Sequence, residues 1–90
     1  MRLIFIGGKS METRVAAISI IVENMDAVKD VNEILHQYGE YIIGRMGIPY
    51  RSKGISIICI VVDAPQEIIS ALSGKIGKLS GVSSKAAYSK

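Results

Sequence analysis

Hydrophobic residues along the chain fall into two continuous runs and two spaced series. Arg14 to Val22 and Ile55 to Val62 are almost uninterrupted aliphatic and β-branched sequence, the pattern of strands covered on both faces. Between them Val28, Val31, Leu35 and Tyr38 recur at helical spacing, with Ile34 beside them and Lys29, Asp30, Glu33, His36 and Gln37 on the other side. Glu23-Asn24-Met25-Asp26 ahead of that series is rich in N-capping types, and Gly39 stops it. A second series, Ile68, Ile69, Leu72, Ile76 and Leu79, follows Pro65, whose missing N–H costs nothing in a first helical turn. Gly74 and Gly77 weaken this helix by about 1 kcal/mol each relative to alanine, which implies close backbone packing or an early end, and Gly81 breaks it.

Glu40 to Tyr50 reads as a further strand, interrupted by Gly44 and Gly47 and closed by Pro49. That composition belongs on a sheet edge, because proline cannot donate to a ladder. Arg51 to Gly54 supplies a turn, and Val82, Ser84, Ala86 and Tyr88 alternate with Ser83, Lys85 and Ala87 as a last strand. The order βαββαβ is the split βαβ pattern of ferredoxin-like type. It predicts an α+β fold with a four-stranded antiparallel sheet and two helices on one face. In that topology the first and third strands are central, and these are the two aliphatic ones.

The third strand opens Lys53-Gly54-Ile55-Ser56-Ile57-Ile58, which follows the RNA-recognition signature Lys/Arg-Gly-aromatic-small-aromatic with both aromatics replaced. The partner motif, Ile20-Ile21-Val22-Glu23-Asn24-Met25, likewise has Ile21 where an aromatic belongs. Stacking on an aromatic ring is worth about 1 to 3 kcal/mol per base, and aliphatic side chains offer no such platform, so RNA binding by stacking on this sheet is not expected. In the same register Ile55, Ile57, Cys59 and Val61 point to the open face and Ser56, Ile58, Ile60 and Val62 to the helices. With Ile21 they make Ile55, Ile57 and Val61 a candidate subunit interface, because a soluble monomer rarely exposes such a patch. A homo-oligomer, dimer or tetramer, is expected.

Ninety residues suit one small domain, which buries a modest share of its surface and often leans on a partner. Residues 1–12 read as a flexible N-terminal extension and 13–90 as the domain; an extra strand is the other reading of the first segment. Its Gly8-Lys9-Ser10 is not a phosphate loop, since Leu3 stands where the motif needs glycine. Apolar runs fall well short of the roughly 20 residues that span a bilayer, so a cytoplasmic protein without membrane contact is expected. The single cysteine, Cys59, excludes an internal disulfide and a cysteine-rich zinc site; it reads as a small core residue.

Catalytic chemistry has little to work with. The one histidine, His36, lies on the charged side of the first helix, and no His/Cys/carboxylate set has metal-ligand spacing, so neither an enzyme nor a cofactor is expected. The net charge of +3 is unevenly placed, with seven basic residues and only Asp63 and Glu67 from Arg45 onward. The most distinctive segment is Gly44-Arg45-Met46-Gly47-Ile48-Pro49-Tyr50-Arg51. Two glycines on an edge strand admit a ligand or another backbone, and arginine holds carboxylate or phosphate in a fork. Gly44, Arg45, Met46, Gly47, Tyr50 and Arg51 are therefore candidate ligand-binding residues for a small anionic effector; bulges at a subunit interface explain the same glycines.

The block GRMGIPYRSKGISII, with ALSGKIGKLSGVSSKAAYSK after it, resembles the small proposed regulators of the iron-only hydrogenase system, within the ACT-like group of ferredoxin-like domains. The resemblance covers about Thr13 to Lys90 and implies an oligomeric ACT-like domain with a regulatory role. The chain departs from amino-acid sensors of that group in having no glycine in Glu23–Asp26, and from nickel sensors in having one histidine. It has no room for a helix-turn-helix, so direct DNA binding is not expected, and regulation would pass through a partner protein or a small effector. Two roles stay open: an effector-binding regulatory module, or a structural oligomerisation or protein-interaction module without a small ligand.

Overall fold

The computed structural model describes residues 4–6 and 9–90. Two short strands, β1 (Ile4–Ile6) and β2 (Lys9–Met11), pair antiparallel as a ribbon separate from the main sheet. The expected flexible extension at 1–12 includes residues 1–3, 7 and 8, which lie outside the described residues. The main unit follows as β3 (Arg14–Val22), α1 (Val28–Gln37), β4 (Ile42–Tyr50), β5 (Ile55–Ala64), α2 (Gln66–Gly77) and β6 (Val82–Tyr88). All strands of the main sheet are antiparallel in the order β4-β5-β3-β6. The ferredoxin-like arrangement expected from the pattern is thus present, with the two aliphatic strands central.

Burial follows the pleat. In β5 every second residue from Ser56 to Ala64 is buried while Ile55, Ile57, Cys59, Val61 and Asp63 are half-buried. Ile18, Ile20 and Val22 of β3 and Ile58, Ile60 and Val62 of β5 meet Val31 and Leu35 of α1 and Ile69, Leu72 and Ile76 of α2. At about 25 cal/mol per Å² of apolar surface removed from water, this layer is the main source of stability. Among the described residues no helix covers the other face of the sheet.

Local chemistry sets the element ends. Asn24 accepts the Asp26 N–H at 3.1 Å and starts a short 3-10 turn, Met25–Ala27, before α1 proper. The chain leaves α1 after Gln37, two residues before Gly39, and passes through a second 3-10 turn, Gly39–Tyr41. Gly54 (φ 64°) closes the β4–β5 turn and Gly81 (φ 73°) begins the approach to β6, both in the left-handed region that glycine enters without steric cost. Neither Gly74 nor Gly77 ends α2 early, for the helix runs through Gly77; a Cβ at Gly74 would meet nothing, and one at Gly77 only the Ser84 hydroxyl at 3.4 Å.

Two polar clusters tie β6 to α2. The Ser84 hydroxyl donates to the Ser73 carbonyl at 2.8 Å. At the other end Gln66 accepts from Arg14 at 2.6 Å and donates to the Tyr88 hydroxyl at 2.8 Å, while the Arg14 guanidinium lies 4.4 Å from the centroid of the Tyr88 ring. Among the described residues no helix is long and apolar enough to cross a membrane.

Candidate functional site

The open face is built by register. Ile21 of β3 lies directly opposite Ile57 of β5, and Ile57 in turn lies opposite Ile48 of β4. With Ser83 of β6 this row runs Ser83, Ile21, Ile57, Ile48, and the next on the same face runs Lys85, Ser19, Cys59, Met46. Val61 pairs with Gly44 and Ala17, and Ile55 with Tyr50. The four residues singled out from sequence, Ile21, Ile55, Ile57 and Val61, therefore share one surface. Cys59 stands among them, half-buried and not in the core, because it occupies an odd position of the β5 alternation.

Met46, Ile48 and Tyr50 extend that surface, and the sequence reading included Ile48 only within its segment. Strand alternation from Met46 and Tyr50 was the signal that would have placed it. Val15, Ile21, Tyr50, Ile48 and Met46 are between 39% and 59% exposed. Indeed no residue from Ile43 to Tyr50 is buried, so β4 is an edge strand uncovered on both faces. Its ladder with β5 shifts between Ile42 and Gly44, leaving Ile43 as the extra residue of a bulge. The positions a Cβ would take at Gly44 and Gly47 are empty within 4 Å.

The pleat divides the candidate ligand-binding set. Gly44, Met46 and Tyr50 share a face with Ile48, whereas Arg45 and Gly47 fall on the helix side, where the Arg45 guanidinium donates to the Asn32 side-chain carbonyl of α1 at 2.9 Å. Arg51 lies past the end of the strand in the turn Arg51–Lys53. At about 3.4 Å per residue, Arg45 and Tyr50 are already roughly 17 Å apart, so the two arginines mark different places.

Two concavities flank β4. One, of about 340 Å³, lies at the β4–β5 turn and is lined by Met25, Pro49, Arg51, Gly54 and Ile55. Met25 and Gly54 were not singled out from sequence, because they reach the site only when the β3–α1 turn meets the β4–β5 turn. The other, of about 230 Å³, is at the opposite end of the strand and includes Glu40, Tyr41, Ile43, Asp63 and Pro65. Among the described residues no group of three His, Cys, Asp or Glu side chains could hold a metal ion.

Residues 14–86 match the TM1266-like family, described as "Iron-only hydrogenase system regulator, putative". The chain belongs to that family. Among solved structures it is similar to the uncharacterized protein TM1266 from Thermotoga maritima, with 39% identity and a TM-score of 0.84 over 88% of this chain and 100% of that one. No curated protein matches. The TM1266-like assignment agrees with the resemblance carried by the Gly44–Arg51 and Leu72–Val82 blocks. This member of the family is a ferredoxin-like domain with both helices on one face of its sheet.

Proposed function

We propose that this TM1266-like chain is a homo-oligomeric regulatory domain of the iron-only hydrogenase system, a second copy covering its open sheet face and an effector held at the Arg51 end of Gly44–Arg51. The observation that carries the reading is the row Ile21, Ile57, Ile48 with Val61, Ile55, Met46 and Tyr50 around it, an apolar surface that no helix covers among the described residues. Four strands at about 4.8 Å spacing give this face a flat footprint of roughly 500 Å². A standard interface buries about 800 Å² per partner, so this face alone supplies the larger part of one. Charged residues are nearly confined to the rim, at Lys85 on β6 and Asp63 on β5, the distribution of a buried patch with a polar border.

Light scattering at micromolar concentration tests the assembly, and Cys59 supplies an internal reporter. A dimer or tetramer in which the native thiol is slow to alkylate, and becomes fast in Ile57→Asp, supports the reading. A monomer with a rapidly alkylated Cys59 removes it.

A further inference from the structure

The concavity at the β4–β5 turn has a chemical character that narrows the effector. It is lined by Met25, Pro49 and Ile55, with Arg51 as the one charged residue and no carboxylate among the lining residues. Gly54 also lines it, in the left-handed conformation, and adds no side chain; a Cβ there would meet nothing within 4 Å. Arg45 is engaged by Asn32, whereas among the described residues the Arg51 side chain has no hydrogen-bond partner. The volume of about 340 Å³ is at the small end of the roughly 300 to 1,000 Å³ of small-molecule sites.

We infer that this concavity binds a short branched aliphatic carboxylate that carries no ammonium group. The inference rests on reading the Arg51 end of the segment as the effector site. A planar guanidinium matches a carboxylate with two parallel hydrogen bonds, and one arginine balances one negative charge, which leaves a phosphate dianion under-neutralised. Met25, Pro49 and Ile55 take the hydrocarbon. An α-amino acid would bring an ammonium to a site whose lining offers no carboxylate to receive it, and would lose that group's hydration without return. Ile55 also belongs to the open face, so a second copy laid on the sheet would stand beside the ligand and couple assembly to its binding.

Calorimetric titration of the full chain with acetate, isobutyrate, 4-methylpentanoate, leucine and inorganic phosphate tests this, with oligomeric state followed by light scattering in the same samples. Leucine is 4-methylpentanoate with an ammonium added. The expected order is 4-methylpentanoate tightest, affinity falling about fourfold for each methylene removed, with leucine and phosphate at least tenfold weaker. Arg51→Gln, in an exposed turn, should lose tenfold or more, and Arg45→Ala should bind as the native chain does. Leucine or phosphate binding as tightly as 4-methylpentanoate, undiminished binding by Arg51→Gln, or no heat with any carboxylate overturns the inference. An oligomer that ignores carboxylates leaves the assembly standing, whereas a monomer that binds them removes the assembly and keeps the site.

Discussion

Gly81 and Asn24 are in van der Waals contact so close that a Cβ on residue 81 would lie 2.6 Å from the Asn24 Cβ. The contact brings the turn before β6 onto the turn before α1, where the Glu23 N–H donates to the Gly81 carbonyl at 2.7 Å. Gly81→Ala adds both this clash and a left-handed φ that L-residues occupy at a cost of about 1 kcal/mol or more. The expected loss is on the order of 2 kcal/mol in urea unfolding, with Gly74→Ala neutral or slightly stabilising as the control.

Within one strand, position decides the cost of truncation. Ile60 is fully buried under the helices, and Ile60→Ala should cost about 2 to 5 kcal/mol. The same change at Ile57, half-buried on the other face, should cost clearly less in the dissociated chain. Denaturant melts at a concentration low enough to dissociate any assembly separate the two.

A charge on the open face should act on assembly before it acts on folding. Ile57→Asp places a carboxylate between Ile21 and Ile48, where covering it would remove its hydration without a partner. The far-ultraviolet circular dichroism spectrum should stay native while light scattering reports the monomer mass. Loss of the spectrum along with the mass would mean that the face is needed for folding itself.

Arg45→Ala removes the hydrogen bond to Asn32 at an exposed site. The cost should be below about 1 kcal/mol, as for other solvent-exposed polar pairs. A melting temperature within a few degrees of the native value checks this.

The fold could be read from the sequence because its strongest signals are redundant. Ile55 to Val62 announces a central strand by being aliphatic at both parities, and Pro49 with two glycines announces an edge; the topology then leaves one arrangement. The open face was legible from the same alternation. The site was less so. Gly44 to Arg51 is conspicuous as a string, yet the pleat sends Arg45 toward Asn32 and Met46 to the opposite side, a separation that spacing alone implies only once the segment is known to be extended throughout. Met25 and Gly54 belong to turns about thirty positions apart, and nothing local marks them as neighbours. The bulge at Ile43 was also unmarked, since the glycine beside it suggested the irregularity at Gly44 or Gly47.

The strict alternation of β5 means that one segment carries two messages written in interleaved letters. Its even-numbered residues lie in the core and specify the fold, and its odd-numbered ones form the face that we propose a second copy covers. Because both sets are mostly aliphatic, a one-residue deletion near Gly54 would exchange them and still leave a plausible interior, but it would present Ile58 and Ile60 where Ile57 and Cys59 had been. On the proposed assembly, such a frame-shifted strand would still fold yet be estranged from its own kind, so recognition between copies would fail before the architecture of a subunit.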